Sequence, residues 1–479
     1  MGVLSGLEPT DVFGYFEELT KIPHGSGNMT AISDYVAGVI RDAGVFVTQD
    51  ALKNVIAVSE ATPGYENAPA VMLQGHLDMV AEKTADSDHD FKKDPLKIFL
   101  EGDRIHADRT TLGGDDGVAV AFMLALLTRK DLKHPRLECV FTTDEETGMF
   151  GADAVDLSFS KARYLLNLDN EAEGIFTVSC AGGARFEGIL LVRRVEKNGS
   201  VFRITVQSGK GGHSGTEIFR DRPNTNVVAA ELLQDLKDRD PSLSVISIAG
   251  GLMDNAIPMK TELLVLAEKE PSLEALEAAY QQEFESSDDT VHFTLERLPH
   301  HEKAFVFTPG SEEAMLFAFR LCPNGAQKYN HKIKGLVQTS LNLGIVKTEE
   351  ERFILRASVR SSVATEKERL LEKLSMIFEK AGGTGTTSGN YPGWAYRSES
   401  PFRDLCTRVW NELYPEKPAV IEAIHAGLEC GLLLEKKPDL DIVSIGPDAR
   451  YIHTPREEIS VSSVRRVFAY VVELLESIQ

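Results

Sequence analysis

Cysteine is scarce in this 479-residue sequence, and the patterns that give cysteine a structural role are missing. The five cysteines are scattered, odd in number and without Cys-x-x-Cys spacing. This argues against a disulfide framework and a thiolate zinc site, and it indicates reduced thiols in a reducing compartment.

Basic charge and long apolar runs are also lacking. Only 51 basic residues stand against 73 acidic ones, and the net charge of −22 argues against a nucleic-acid or anionic-membrane partner. No stretch approaches the roughly 20 apolar residues of a membrane span. The N-terminus has neither the basic nor the apolar region of a signal peptide. The sequence therefore predicts a location in the cytoplasm.

The chain is too long for one ordinary core, so two or three domains are expected. Over 1–183, strands alternate with helices, which indicates an α/β sheet. From 184 to 392 a similar succession of strands and helices occurs roughly twice, which predicts an inserted domain of two α+β units. Residues 393–479 return to apolar helices and one strand, and we expect them to complete the first domain.

Two local predictions follow from the same patterns. Residues 82–109 are polar and are expected to form a long irregular surface segment. In the inserted domain, the strands at 184–194 and 202–207 are expected to pair with each other.

Candidate functional side chains follow the ends of predicted strands. A buried strand at 70–73 precedes His76 and Asp78, and the next strands end at the Glu145–Glu146 pair and at Asp169. In α/β sheets ligands gather beyond the carboxyl ends of the strands. Because side chains in a strand alternate with a period of two, His76 and Asp78 point the same way. That arrangement suits a metal-binding imidazole with a carboxylate behind it.

A set of nitrogen and oxygen ligands without sulfur favours zinc, manganese or cobalt. The set comprises two imidazoles and three carboxylates: His76, Asp115, Glu146, Asp169 and His453. Five ligands are too many for one catalytic zinc, but they suit two ions about 3.5–4 Å apart if one carboxylate bridges them. Asp115 is the natural bridge, because it lies at a Gly-Gly turn where close backbone approach is tolerated.

The neighbouring side chains of Glu145 and Glu146 diverge, so one can bind metal while the other accepts a proton from water. Spacing alone does not say which residue does which.

Five motifs carry a family resemblance. They are Gly-His-Leu-Asp at 75–78, Leu-Gly-Gly-Asp-Asp-Gly at 112–117, Asp-Glu-Glu-Thr-Gly at 144–148, Asn-Leu-Asp at 167–169 and Ile-His-Thr-Pro at 452–455. In this order they resemble the di-zinc aminopeptidase, carboxypeptidase G and carnosinase superfamily. Over its whole length the sequence is similar to the aminoacyl-histidine dipeptidases, also called cytosolic non-specific dipeptidases. The resemblance implies a metallopeptidase catalytic domain, with a mixed sheet flanked by helices, and an inserted lid of two ferredoxin-like units.

The resemblance also implies the ligand set of each ion, most simply zinc, with cobalt or manganese as alternatives. His76 and Asp169 would bind one ion, Glu146 and His453 would bind the other, and Asp115 would bridge the two. It further implies that Glu145 is the general base, that Asp78 is the carboxylate behind the histidine ligand, and that the Asp115–Asp116 peptide bond is cis.

Four residues of the inserted lid and the late chain resemble substrate-binding residues of the family. His213 lies in a glycine loop and would stabilise the oxyanion. Asn255 and Arg360 would hold the substrate, Arg360 by pairing with its terminal carboxylate. Gly427 lies in the His-Ala-Gly-Leu-Glu segment at 425–429, which resembles a loop near the substrate.

Simpler structural roles are also open to these side chains. His76 could be structural, and His213 and Asn255 could be ordinary turn residues. Arg360 could pair with a surface carboxylate. His425 could be a core histidine, with Glu429 capping the following helix.

The expected activity is a di-metal hydrolysis of unblocked dipeptides, both Xaa-His and broader, by a metal-bound water that a glutamate activates. A related N-acyl amino acid deacylase or carboxypeptidase with the same metal site is an alternative. A non-catalytic metal-binding scaffold is a third possibility, which the presence of Glu145 disfavours. Small peptides are the expected partners, and the doubled lid is compatible with a monomer or a homodimer.

Overall fold

The computed structural model describes residues 2–299 and 303–479. These residues form two compact units. The first comprises the chain up to Val178 together with 396–422 and 429–479, and the second comprises 179–395 and 423–428.

The first unit begins with four helices and eight strands. The helices are α1 (Thr10–Leu19), α2 (Thr30–Asp42), α3 (Gly114–Thr128) and α4 (Phe150–Ala154). The strands are β1 (Phe46–Gln49), β2 (Val55–Ser59), β3 (Ala70–His76), β4 (Ile98–Glu101), β5 (Arg104–Ala107), β6 (Leu137–Thr142), β7 (Ala162–Asn167) and β8 (Ile175–Cys180).

The second unit contains four helices and most of the remaining strands. Its strands are β9 (Gly182–Leu191), β10 (Arg194–Asn198), β11 (Ser200–Ser208), β12 (Gly212–His213), β13 (Ser244–Gly250), β14 (Ala256–Ile257), β15 (Lys260–Ala267), β16 (Val291–Arg297), β17 (Lys303–Phe307), β18 (Gly325–Tyr329), β19 (Val337–Thr348), β20 (Arg352–Ser361) and β21 (Thr384–Tyr391). Its helices are α5 (Thr225–Arg239), α6 (Glu274–Glu283), α7 (Pro309–Leu321) and α8 (Ala364–Lys380), with a short 3-10 helix at Ile218–Arg220.

The last part of the chain adds three helices and four strands. These are α9 (Pro401–Leu413), α10 (Cys430–Lys436), α11 (Val461–Ser477), β22 (Val420–Ile424), β23 (Asp441–Ser444), β24 (Ala449–Arg450) and β25 (Glu458–Ser460). Apart from part of β22, they belong to the first unit.

An eight-stranded mixed sheet is the framework of the first unit, with strand order β1-β2-β6-β3-β7-β23-β8-β22. Strand β3 runs parallel to both β6 and β7, whereas β2 runs antiparallel to β6. The carboxyl ends of β3, β6 and β7 therefore meet at one edge of the sheet, where the chain continues into the predicted ligand segments. The predicted α/β class and mixed sheet are confirmed.

Helix α3 is buried on every side, since residues 116–127 are all inaccessible to solvent. A helix that is apolar all round needs such a position in a core. It contacts α1 and β3. The bulky side chains of this core include Phe122 and Phe468, whose ring centroids lie 5.2 Å apart.

The prediction of an irregular segment at 82–109 is wrong for its second half. Strands β4 and β5 lie in this half and join β24 and β25 in a four-stranded sheet with order β24-β25-β5-β4. In β5, buried Ile105 and Ala107 alternate with partly exposed Arg104 and His106. The two polar residues make the segment look like a surface loop in the sequence, so the strand was not predicted. The partner strand β25 comes from the opposite end of the chain and pairs through Ile459 with Ile105.

The second unit contains a nine-stranded antiparallel sheet built from two ferredoxin-like halves. The first half has the chain order β11-α5-β13-β15-α6-β16 and the spatial strand order β16-β11-β15-β13. The second half has the chain order β9-α7-β19-β20-α8-β21 and the spatial order β19-β20-β9-β21. The halves join where β13 pairs with β19. The predicted pair of α+β units is confirmed.

The predicted pairing of 184–194 with 202–207 is wrong. Strand β9 pairs with β20 and β21, and β11 pairs with β15 and β16. The first ferredoxin-like half is inserted directly after β9, so two strands that are adjacent in the sequence belong to different halves. Short connections usually join paired strands, which is why the pattern suggested a hairpin.

The five cysteines are all buried, and no two of them form a disulfide bond within the described residues. Within the described ranges, no helix has the length and apolar character needed to cross a membrane.

Candidate metal centre and substrate-binding residues

His76 ends strand β3 and is almost completely buried, with 1% of its surface exposed. Its Nδ1–H donates to the backbone carbonyl of Asp78 at 2.9 Å, while the Asp78 carboxylate lies 3.5 Å from the same nitrogen. A donating Nδ1 leaves the lone pair of Nε2 free for a metal ion. Nε2 lies 3.1 Å from Asp115 Oδ1 and 3.8 Å from Asp169 Oδ1.

Asp78 also holds the loop after β6. Its carboxylate accepts hydrogen bonds from the Ser26 hydroxyl at 2.8 Å and from the backbone N–H groups of Glu145 and Glu146 at 3.0 and 3.3 Å. Burial alone would raise the pKa of Asp78, but these bonds and His76 outweigh it, so the pKa is lowered. The buried carboxylate stays ionised and fixes the two glutamates relative to His76.

Asp115 lies between two imidazoles. One of its oxygens, Oδ1, is 3.1 Å from His76 Nε2, and the other, Oδ2, is 3.2 Å from His453 Nε2. Burial acts to raise the pKa of Asp115, yet the two histidines together hold it well below the usual range. The Asp115–Asp116 peptide bond is cis, as the family resemblance implied.

His453 lies on the loop between β24 and β25, so the small sheet missed in the sequence is what carries it. It adopts a left-handed backbone conformation with φ of 59°. Its Nε2 is 3.0 Å from Glu146 Oε1 as well as near Asp115, and the closeness of these two carboxylates raises the pKa of His453 to about 10.

Glu145 and Asp169 complete a concentration of buried negative charge. Burial, followed for Asp169 by the neighbouring charges of Asp115 and Asp116, raises the pKa of this carboxyl well above its usual value. Burial raises the pKa of Glu145 to about 8, against the lowering effect of His76. Acidic groups that repel one another in this way are stabilised by bound cations.

Three groups of side chains bring potential ligand atoms within 4.8 Å of one another. They are His76 with Asp116 and Asp169, His76 with Glu145 and Glu146, and Asp115 with Glu146 and His453. In addition, Glu146 Oε1 is buried and makes no hydrogen bond within the described chain, although an imidazole nitrogen is close. An oxygen and a nitrogen that converge without hydrogen-bonding geometry suit a shared metal ion.

Asp116 is a weaker ligand candidate than Asp115. Its carboxylate oxygen Oδ2 already accepts the backbone N–H of His76 at 3.1 Å. Asp115, by contrast, presents one oxygen to each imidazole. The nitrogen and oxygen donors of this cluster match the preferences of zinc, cobalt and manganese.

The predicted substrate-binding residues lie in the second unit. His213 is on β12, which pairs with β14 beside Asn255, and the Asn255 carbonyl accepts the N–H of Ser214 at 2.9 Å. His213 Nδ1 accepts the backbone N–H groups of Gly215 and Thr216 at 3.3 and 3.1 Å. Burial, then the charge of Arg360, lowers the pKa of His213. The neutral ring therefore carries its proton on Nε2 and can donate it.

Arg360 is on β20, has 9% of its surface exposed, and donates from Nη1 to the Tyr391 hydroxyl at 3.1 Å. Its Nε is buried and makes no hydrogen bond in the part of the chain that the structure describes. Gly215 stands between the side chains, because a Cβ there would lie 3.0 Å from His213 Cε1 and 3.3 Å from Arg360 Nε. Gly427 packs against Tyr391, whose Cε2 would lie 2.9 Å from a Cβ at this glycine.

Two residues were interpreted incompletely from the sequence. Glu429 precedes α10 but makes no capping hydrogen bond, so that interpretation is wrong. Its carboxylate accepts hydrogen bonds instead from Gln74 Nε2 at 2.5 Å and from the Thr142 hydroxyl at 2.7 Å. These two residues lie near the carboxyl ends of β3 and β6. His425 is buried, and its Nε2 is 2.7 Å from the Ser340 hydroxyl.

Two further residues were not recognised at all. Glu457 accepts four backbone N–H groups of the turn that carries Asp115. Tyr391 contacts both Arg360 and Gly427. A buried carboxylate beside a partly exposed one, as at Glu457 and Glu458, leaves no mark in hydrophobic periodicity, and a tyrosine in a strand is too common to single out.

Comparison with known proteins gives consistent matches. The profile described as peptidase family M20/M25/M40 matches residues 72–477. The cytosol non-specific dipeptidase of Escherichia coli (strain K12) is 33% identical over 486 residues, which covers 100% of this chain and 99% of the relative. The crystal structure of aminoacylhistidine dipeptidase from Vibrio alginolyticus aligns with a TM-score of 0.91 and 32% identity over 99% of this chain and 98% of that one. Aminopeptidase PepT from Bacillus cereus shares the fold, with a TM-score of 0.56 at 16% identity over 98% of this chain and 99% of that one.

Proposed function

The chain belongs to peptidase family M20/M25/M40, and from this premise we propose that it is a dipeptidase that uses two divalent metal ions. The position of Asp115 between His76 and His453, one carboxylate oxygen toward each ring, is the observation that supports the two-ion site most strongly. The dipeptidase names of the full-length relatives support the choice of substrate.

In this proposal His76, Asp169 and Asp115 would hold one ion, and Glu146, His453 and Asp115 would hold the other. Zinc is the first choice, and cobalt and manganese accept the same donors. Such ions polarise a peptide carbonyl and lower the pKa of a water molecule toward about 7.

Glu145 is the proposed general base. It removes a proton from the attacking water and delivers it to the leaving amine, as a carboxylate with a raised pKa can do near neutral pH. Asp78 is a positioning residue for this step, because it accepts the backbone N–H of Glu145 and lies behind the ring of His76.

The substrate is proposed to be bound by residues of the second unit. The Nε2–H of neutral His213 would donate to the developing oxyanion, a role commonly worth about 3 kcal/mol. The free Nε of Arg360 suits the terminal carboxylate of a dipeptide. The backbone at Asn255 and the small size of Gly427 would help to shape the same substrate-binding surface.

Small unblocked peptides are therefore the proposed partners, with Xaa-His and other dipeptides among them. The E. coli relative is named as a cytosolic protein, and we propose a cytoplasmic location here. The doubled lid is compatible with a monomer or a homodimer.

The test is hydrolysis of a small panel by the metal-reconstituted protein. The panel contains β-Ala-His, Gly-His, Leu-Gly, a tripeptide and an N-acetyl amino acid. Cleavage of the dipeptides alone is expected. Cleavage of the acetylated compound alone would replace the dipeptidase proposal by a deacylase.

Glu145→Gln is the matched control for this experiment. The variant should bind both metal ions and lose about 10²–10⁴-fold in kcat, because the amide cannot accept the proton. If it retained full turnover, Glu145 would not be the base.

A further inference from the structure

The carboxylate of Glu457 is bound by four consecutive backbone N–H groups. Oε2 accepts from Leu112 at 2.7 Å and from Gly113 at 3.2 Å, and Oε1 accepts from Gly114 at 2.8 Å and from Asp115 at 3.3 Å. The side chain is buried, with 3% of its surface exposed. Both oxygens of one carboxylate therefore hold the turn that presents the proposed bridging ligand.

This turn has no capping side chain of its own. Helix α3 starts at Gly114, and its N-cap residue, Gly113, has no side chain that could accept a capping hydrogen bond. Asp115 and Asp116 have non-helical backbone angles, so the first residues of α3 do not follow a regular helix. The first N–H groups of a helix have no intrahelical partner and need acceptors from elsewhere. Glu457 supplies those acceptors here.

The turn is also packed tightly against strand β25. A Cβ at Gly114 would lie 1.8 Å from Ile459 Cδ1 and 3.2 Å from Glu457 Oε1. The backbone of the turn therefore approaches β25 as closely as a glycine allows, and Glu457 lies at the point of contact.

Glu457 also belongs to the loop that carries His453. The backbone N–H of Glu457 donates to the Thr454 carbonyl at 3.0 Å, which closes the loop just after His453. At the other end of this short segment, His453 Nε2 is 3.2 Å from Asp115 Oδ2. One side chain thus joins the two segments that supply Asp115 and His453.

We propose that Glu457 is a positioning residue that sets the separation of Asp115 and His453, and with it the affinity of the ion proposed to bind between them. The inference rests on the proposed two-metal function. Glutamine cannot replace this side chain, because its amide NH2 would face two N–H donors where a carboxylate oxygen accepts them.

The test compares metal binding by the wild type, Glu457→Gln and Glu17→Gln. Glu17 is a matched control in the same unit, since its buried carboxylate accepts the backbone N–H groups of Val3 and Leu4 at 2.7 and 3.0 Å. Each apoprotein is titrated with Zn²⁺ against a competing chelator and with Co²⁺ by visible absorption, and folding is checked by circular dichroism.

Glu457→Gln should bind one of the two ions about 10- to 100-fold more weakly than the wild type, as is typical when a partner behind a ligand is removed. Its Co²⁺ spectrum should change, because the ligand geometry changes. Glu17→Gln should bind both ions with wild-type affinity and give the wild-type spectrum, whatever its loss of stability.

Wild-type affinities for both ions and an unchanged cobalt spectrum in Glu457→Gln would overturn the inference. If that variant does not fold, Glu457→Asp is judged by the same criterion, since it keeps the charge but is one methylene too short to reach all four donors. A wild-type protein that bound fewer than two ions would instead contradict the proposed function, so the two failures are distinguishable.

Discussion

At the scale of single residues, Asp115 presents one oxygen to each of two imidazoles, which is the geometry that a bridging ligand requires. The pKa of this carboxylate is lowered by both histidines, while the pKa values of Asp169 and Glu145 are raised by burial and by their acidic neighbours. The pKa values of neighbouring carboxyl groups are thus shifted in opposite directions. Such opposed shifts are characteristic of functional sites.

Arg360→Ala is expected to weaken hydrolysis of dipeptides that carry a free C-terminal carboxylate. A charge-assisted hydrogen bond is worth about 1.5–3 kcal/mol, so kcat/KM should fall about 10- to 100-fold. Dipeptide amides should be affected much less.

Arg356→Ala is the matched control on the same strand, because Arg356 is half exposed and donates to the Glu187 carboxylate at 2.5 Å. It should leave both substrate classes unchanged. Equal losses for free and amidated dipeptides in Arg360→Ala would contradict the proposed role of Arg360.

His425 should make stability depend on pH. Burial, with the charges of Arg360 and His213, lowers the pKa of His425 to about 3, below the ordinary value of about 6.5 in the unfolded chain. The unfolded state therefore binds the proton more readily, and the contribution to stability is complete above about pH 6.5 and is lost as the pH falls toward 3. Between pH 7.5 and pH 5 the free energy of unfolding should fall by about 2 kcal/mol from this residue.

Urea unfolding of the wild type and His425→Gln at several pH values measures this effect. The variant should lose that part of the pH dependence, whereas His292→Gln should keep it, since the His292 side chain is 64% exposed. Parallel curves for the wild type and His425→Gln would show that His425 does not titrate as proposed.

At the scale of elements, local apolar patterns predicted most of what positions the site. Strands β3 and β6 are continuous buried runs and β7 ends in one, and a run of this kind predicts a buried strand without knowledge of its neighbours. Because these strands are parallel, the side chains after their carboxyl ends meet, which is why His76 and Asp169 could be placed in one candidate site from the sequence.

Pairings between distant segments could not be predicted in the same way. The contact between β5 and β25 joins opposite ends of the chain, and its polar residues hide the alternation. The role of Glu457 depends on that contact, so it was missed although the nearby His453 was found from its motif. Strand β9 was paired wrongly for a related reason, because an insertion separates it from its partners β20 and β21.

The packing of helix α3 should contribute strongly to the free energy of unfolding of the first unit. Phe122 is 1% exposed and contacts Phe468. Replacing it by alanine removes a large buried ring and leaves a cavity, so Phe122→Ala should lower the free energy of unfolding by about 3–5 kcal/mol.

Phe46→Ala is the control, because Phe46 lies on the edge strand β1 with 63% of its surface exposed. Its cost should stay within about 0.5 kcal/mol. Chemical denaturation can be followed by tryptophan fluorescence, to which Trp410 in the core of the first unit contributes. Similar losses in the two variants would contradict the burial of α3.

At the scale of the whole molecule, the chain combines a net charge of −22 with a concentration of buried carboxylates in the first unit. These carboxylates repel one another unless protons or cations neutralise them. Metal binding should therefore be coupled to folding, because the native arrangement binds the ions and the unfolded chain lacks it. A site with free metal at 100 times its dissociation constant adds about 2.7 kcal/mol to the free energy of unfolding.

Differential scanning calorimetry with increasing Zn²⁺ tests this coupling. The melting temperature of the wild type should rise with metal concentration and fall on addition of a chelator. Asp115→Asn should reduce the rise sharply, because an amide is a poor bridge between two cations, whereas Asp90→Asn, at a side chain that is 45% exposed, should leave it unchanged. If Asp115→Asn were stabilised by Zn²⁺ as strongly as the wild type, the ions would not bind at Asp115, and the two-metal proposal would have to be abandoned.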